Sequence, residues 1–340
     1  MKHTKNRLFS AIQLLFLSLL ALAILRAPER ACSLAALALQ LWFEKMIPSL
    51  FPFMILSGLI VRLNFDQLIS TPVHPLLGPL YRINKTMCTT LLCGFLFGFP
   101  LGAKTAAEQY HLGQLSKPQA QYLLSFCNNI GPVYLLSFAL PLLGLSEDTA
   151  YLPQKAVVAA FFFAIPLLYG LALRYTVYRR TALFSIPSGD SLPRTRESSF
   201  SPSFLPALDA SITSACAAIT RLGGYMIFFI VCNLLLEQAA ALAKTPAACA
   251  FLAKLAVLAA PVLEITSGLA LSKNVLPPAL FMTMVTFGGL SCFAQTYTCI
   301  RDTDLSFGNY CLHKLLQSII AFCLYTLLFS AFSGRQLSLS

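Results

Sequence analysis

Nine apolar stretches set the rhythm of the chain: 8–25, 34–61, 86–112, 119–143, 154–177, 210–237, 247–273, 277–300 and 312–333. A bilayer core about 30 Å thick takes roughly 20 apolar residues per helix, so most of these stretches can cross it. Two are interrupted. Residues 86–112 carry "GFPLGAKTAAEQ", with Gly98, Pro100 and Gly102 ahead of Lys104 and Glu108. Residues 247–273 carry "APVLEITSGL", with Pro261, Glu264 and Gly268 in mid-segment. Proline removes a backbone donor, clashes with the preceding turn and biases the residue before it away from helix. Each interrupted stretch therefore predicts two half-helices of about 11–12 residues around a central break, each arm roughly 17 Å long. The expected architecture is all-α and polytopic: about seven spanning helices plus two re-entrant helical hairpins.

Loop charges sharpen this pattern, because cytoplasmic loops carry an excess of Lys and Arg. The start, "MKHTKNR" ahead of the apolar run 8–25, reads as a retained signal anchor over 1–30 with a cytoplasmic N-terminus. If all nine stretches cross, the basic residues divide evenly, ten inside and ten outside. If 86–112 and 247–273 are hairpins, fourteen fall inside: Lys2, Lys5, Arg7, Arg62, Arg82, Lys85, Lys117, Arg174, Arg179, Arg180, Arg194, Arg196, Arg301 and Lys314. Six then lie outside: Arg26, Arg30, Lys155, Lys244, Lys273 and Arg335. The acidic loop Leu145 to Asp148 moves outside as well.

An odd number of crossings then separates the two halves and inverts the second. The chain divides into a first repeat, 31–177, a basic Ser/Pro/Arg-rich cytoplasmic linker, 178–207, and a second repeat, 208–335. Each repeat comprises a broken helix, a hairpin and two further helices, an inverted-repeat plan common in secondary transporters. "KMIPSLFPF" from Lys45 aligns with "RLGGYMIFF" from Arg221, "GFPLG" from Gly98 with "EITSG" from Glu264, and "SFCNNIGP" from Ser125 with "TFGGLSCF" from Thr286.

Composition confirms the solvent. The chain is 57% hydrophobic and 11% charged, with a mean hydropathy of +0.73, where soluble domains carry about 25% charged residues. The net charge of +11 sits between apolar segments, which suits an anionic leaflet and not nucleic acid. Eleven cysteines form no CxxC, and six of them (Cys93, Cys127, Cys216, Cys232, Cys292, Cys323) fall in apolar segments, as small buried side chains do. The four histidines are scattered, so no metal site is expected. No nucleophile, acid–base pair or phosphate loop motif is present, and no enzyme activity is expected.

"GFPLGAKTAAEQY", "LLSFCNNIGP", "LEITSGL" and "FGGLSCFAQTYTCIRDTDL" are polar runs inside apolar segments. Through them the chain resembles the YlbJ-type sporulation integral membrane proteins of the nucleoside-recognition, or Gate, group, from about Trp42 to Leu328. The resemblance implies a multi-pass protein of the bacterial inner membrane with a role in spore cortex formation. A more distant similarity, architectural in kind, joins it to the concentrative nucleoside transporters, which carry two hairpins and broken helices at corresponding places.

Charged groups within hydrocarbon are functional candidates because they cost several kcal/mol unless paired or facing water. Glu264, beside Thr266, Ser267 and Gly268 at a break, suits a coupling ion or a polar substrate, and a salt bridge to Lys254 or Arg221 is the structural alternative. Lys104 and Glu108, four apart, read equally as a self-neutralising pair and as a cation offered to an anionic solute. Asn128 and Asn129, ahead of Gly131 and Pro132, point about 100° apart, so only one is expected to face a cavity, with interhelical hydrogen bonding as the structural alternative. Ser291, Gln295 and Thr298 form one polar stripe after Gly288 and Gly289, which equally suit close helix packing. "RDTD", from Arg301, suits a cap or loop.

The expected function is a secondary transporter of a small polar or anionic solute. Its expected partners are the bilayer, the solute and a further copy of the chain, with H⁺ or Na⁺ as coupling ion and no other cofactor. The alternative is a non-transporting scaffold of spore envelope formation, in which the linker would do the work.

Overall fold

The computed structural model describes residues 2–63, 65–144, 152–181 and 203–337, and every element among them is helical. In chain order these are α1 (Lys2–Arg26), α2 (Pro28–Arg62, with a π turn at Trp42–Met46), α3 (Asp66–Ser70), α4 (His74–Tyr81), α5 (Lys85–Leu96), α6 (Leu101–His111), α7 (Lys117–Leu124) and α8 (Pro132–Leu142). There follow α9 (Leu152–Tyr175), α10 (Phe204–Cys232), α11 (Leu234–Ala241), α12 (Pro246–Leu263), α13 (Ile265–Leu271), α14 (Pro278–Phe287), α15 (Gly289–Ile300) and α16 (Phe307–Leu337). The loop Leu145–Asp148 and most of the linker, 182–202, lie outside the described residues.

Seven stretches of described helix are long and apolar enough to cross a membrane. Six coincide with expected spans, and the seventh, Pro246–Leu263, is the first arm of the second interrupted segment. The expected span 119–143 is not a single helix. It is broken between α7 and α8, where Ser125 to Gly131 leaves the helical path.

Local chemistry sets the helix starts. Asn84 caps α5 by accepting from Met87 N at 2.9 Å. Ser116 and Gln119 form a reciprocal capping box on α7, and Thr245 accepts from Ala248 N ahead of Pro246 on α12. Each satisfies donors that a helix start leaves unpaired.

At both interrupted segments the chain folds back on itself. Between α5 and α6 it turns through Phe97–Pro100, with Gly98 at φ +77°, a conformation that favours glycine. The arms then touch: a Cβ on Gly94 would lie 3.2 Å from the Gly102 Cα. The arms have 12 and 11 residues, as the sequence predicts. Between α12 and α13 a Cβ on Gly268 would lie 2.3 Å from the Ala260 carbonyl carbon. Here the arms have 18 and 7 residues. The break falls at Glu264, with extended φ −140° and ψ 118°, and Pro261 stays inside the last turn of α12. The expected equal arms around Pro261 are thus corrected: the carboxylate that caps the next helix, not the proline, ends this one.

The frame around these units is formed by α2 and α10. Trp42 Nε1 donates to Ile219 O at 2.8 Å, Gly223 lies under the Trp42 ring, and Gly58 lies against Ser211. Higher numbers on one helix meet lower numbers on the other, so α2 and α10 run antiparallel. Arg30 and Glu237 join the start of α2 to α11 through two bonds of 2.7 Å.

One polar staple holds the loop after α15. Asp304 accepts from Lys117 Nζ at 2.8 Å and from Tyr110 Oη at 2.7 Å, and Gln121 exchanges bonds with the Ser306 backbone. These two donors hold the Asp304 carboxyl below its ordinary range. A depressed carboxyl stabilises the fold fully above the ordinary carboxylate range, and that contribution is lost as pH falls through the lowered value. Thermal midpoints of the wild-type protein, measured down a pH series, should therefore drop at acid pH. Asp304→Asn should remove part of that slope, and an unchanged slope would assign it to other carboxyls.

Candidate functional site: two folded-back tips around a buried carboxylate

Both tips and the α7–α8 break converge. A cavity of about 40 Å³, room for one or two waters, is bordered by Phe99 from the first tip and by Ile130, Gly131 and Tyr134 from the α7–α8 break and the start of α8. Glu264, Ile265 and Thr266 of the second tip face it, as do Cys292 and Gln295 of α15. Met46 and Leu50 of α2 and Leu222 and Met226 of α10 close the sides.

Glycine lets these pieces approach. A Cβ on Gly94 or Gly102 would lie 2.0 or 2.6 Å from Cys127 O, and one on Gly98 would lie 2.3 Å from Gly131 N, so the first tip rests on the α7–α8 break. The second tip rests on the α14–α15 break: a Cβ on Gly289 would lie 3.0 Å from Ile265 N. That break is made by Gly288 at φ +87°.

Glu264 is 1% exposed. Its Oε1 accepts from Thr266 N at 3.0 Å and its Oε2 from Ser267 N at 2.6 Å. The carboxylate therefore caps α13 from within, and the positive end of that helix offsets its charge. Among the described residues it forms no ion pair, and neither Lys254 nor Arg221 reaches it. Tyr134 Oη donates to Thr266 Oγ1 at 3.3 Å, linking the two halves across the cavity.

The two asparagines divide the work at the α7–α8 break. Asn128 Oδ1 accepts from Ala103 N at 3.2 Å, and its Nδ2 donates to Thr296 Oγ1 at 2.9 Å. Asn129 Nδ2 donates to Phe126 O at 2.6 Å. Its Oδ1 accepts from Lys314 Nζ at 2.9 Å. Neither asparagine lines the cavity, whereas the neighbouring Gly131 does, so the break is shaped by amides that face protein.

Of the candidates, Glu264, Thr266 and Gln295 border the cavity together, and Ser267 and Ser291 are wholly buried beside them in sequence. Lys104 and Glu108 do not border it. Lys104 Nζ donates to Ser214 Oγ on α10 at 2.6 Å. Thr298, on the Gln295 stripe, bonds Tyr225 Oη at 2.7 Å. All eleven cysteines are free, and Cys216 and Cys323 are exposed on helix faces instead of buried. No group of three His, Cys, Asp or Glu that could hold a metal occurs among the described residues.

Sequence reasoning missed Lys314. Counted there as an inside loop charge, it is 3% exposed on α16, and Arg174, counted likewise, is 5% exposed at the end of α9, which corrects the loop count by two. The signal was present as Lys314, Gln317 and Ser318, an i, i+3, i+4 polar stripe at the start of an apolar helix.

The outer surface completes the class. Leu14, Leu17, Leu168, Phe251, Ile319 and Leu327 are each more than half exposed, on helices of spanning length. With polar groups gathered inside and apolar ones outside, the chain is a multi-pass helical membrane protein. It is 25% identical over 328 residues to the sporulation integral membrane protein YlbJ of Bacillus subtilis (strain 168), a match covering 90% of this chain and 79% of that protein. That relative bears out the YlbJ-type resemblance carried by the polar runs. No family model and no solved structure matches the chain.

Proposed function

We propose that the chain is a secondary transporter for a small polar or anionic solute, working in the bacterial inner membrane with its N-terminus and linker cytoplasmic. The observation that carries this reading is the convergence of both tips, the α7–α8 break and Glu264 on one cavity. Irregular backbone at membrane depth is tolerated where it lines such a site. The two folded-back units are then re-entrant hairpins, and the halves are inverted repeats.

Two details support the repeat. Gly94 touches Gly102, and Ala260 touches Gly268, both eight residues apart, and these pairs correspond when Gly98 is aligned with Glu264. The first helices of the two halves, α2 and α10, run antiparallel, as inverted topology requires. Glu264 binds the coupling ion, H⁺ or Na⁺, or a donor group of the solute, while Thr266, Ser267, Gln295 and Ser291 orient it. The small cavity corresponds to a closed form that must widen to admit a solute. The relative's name places the work in sporulation, and a nucleoside-like solute fits the Gate-group resemblance.

The test is uptake of labelled uridine, adenosine and a panel of small polar anions into proteoliposomes under H⁺ or Na⁺ gradients. Wild-type protein should accumulate at least one solute, and Glu264→Gln should lose most of that accumulation while still folding, with a thermal midpoint lowered because its amide cannot accept from both Thr266 N and Ser267 N. Gradient-driven uptake that survives Glu264→Gln removes the carboxylate from the mechanism. No uptake of any solute by the wild type, joined with loss of sporulation on deleting 182–202, favours the scaffold.

A further inference from the structure

Lys314 is a buried cation without a carboxylate. It is 3% exposed and belongs to none of the ion pairs among the described residues. Its Nζ donates to Asn129 Oδ1 at 2.9 Å and to the main-chain O of Asn128 at 3.3 Å. Both acceptors belong to the unwound run between α7 and α8, beyond the C-terminus of α7.

That run gathers oxygen. Ser125 O accepts from Gln317 Nε2 at 2.6 Å, and Phe126 O from Asn129 Nδ2 at 2.6 Å. Cys127 O faces the glycines of the first tip. A helix C-terminus carries partial negative charge, and unpaired carbonyls buried away from water are costly. Carbonyl and amide oxygens at a half-helix end are also the ligands with which membrane proteins hold small monovalent cations.

We infer that the α7–α8 break is a monovalent-cation site occupied by the protein's own lysine. The Lys314 ammonium does, on a tether, what a bound Na⁺ would do: it neutralises the oxygens of Asn128 and Asn129 and fixes the run on which the first tip rests. The site never empties, so this chain needs no free cation to seat its first hairpin. The inference is independent of whether the chain transports.

Truncating the tether should return the site to solution ions. Lys314→Ala removes the charge and leaves room for a cation with water. Thermal midpoints are measured in detergent at equal ionic strength with choline, Na⁺, Li⁺ or K⁺ as the chloride. The wild-type response to the four salts is the baseline, since it carries any Na⁺ bound at Glu264. Lys314→Ala should melt lower in choline and recover saturably with Na⁺ or Li⁺. Lys314→Met, which fills the space without charge, should melt low with no cation response, and Asn129→Leu added to Lys314→Ala should abolish the recovery. If Lys314→Ala is too unstable to purify in choline, its yield after extraction in NaCl decides: recovery in sodium supports the site, and failure in both overturns it. A Lys314→Ala response to Na⁺ or Li⁺ no larger than the wild-type response overturns it.

Discussion

Gly94→Ala is expected to destabilise the protein by about 3 kcal/mol, at the upper end for overpacking. The added Cβ would lie 2.0 Å from Cys127 O and 3.0 Å from the Cys127 carbonyl carbon. Both are backbone atoms, so no rotamer change relieves the clash. Either α5 withdraws from the break, or the break moves and takes Asn128 and Asn129 with it. Gly224→Ala on α10 is the matched control, because a Cβ there meets nothing within 4 Å. In a helix interior that change gains about 1 kcal/mol of propensity. Thermal midpoints in detergent should therefore move in opposite directions. A Gly94→Ala protein that melts with the wild type would refute the close seating of the first tip.

Asn128→Leu is expected to cost about 2–4 kcal/mol. The first tip leaves α6 without a cap of its own, since Pro100 precedes it and supplies no side-chain acceptor. Asn128 supplies that acceptor from the α7–α8 break, taking the Ala103 N–H. Leucine would leave this buried donor unpaired, at about 1–3 kcal/mol, and would lose the bond to Thr296 worth about 1 kcal/mol more. Thr296 keeps its bond to Cys292 O, which limits the loss on that side. Asn128→Asp retains the acceptor for Ala103 and should recover part of the stability. If Asn128→Leu melts normally and only uptake fails, Asn128 binds solute and does not anchor the hairpin.

The first folded-back unit was legible because glycine and proline alone suffice to turn a chain at Gly98 and Pro100. The second was legible only in outline. Pro261 was the visible breaker, yet the helix runs past it to Leu263 and the chain parts at Glu264, whose carboxylate caps α13. The break in 119–143 was hidden for a related reason. Asn128 and Asn129 pay for non-helical backbone with bonds to α6 and to Lys314, partners distant in sequence that no local pattern names. Lys314 itself was read by its neighbours at the start of a span, and its burial depends on oxygens of the α7–α8 break, nearly two hundred residues earlier. The polar linker is an expectation from composition, and its residues 182–202 lie outside the described part of the molecule.

The antiparallel pairing of α2 with α10 also has a timetable. Trp42 finds its acceptor on Ile219, 177 residues later in the chain. At a synthesis rate of about 5–20 residues per second, Trp42 is made about 10–35 s before that partner exists. The arms of the first hairpin meet after only eight residues, so the hairpin can close almost as soon as it is made. The nascent protein thus holds a finished hairpin beside an unpartnered helix, and the indole of Trp42 must spend that interval against lipid or an insertion factor.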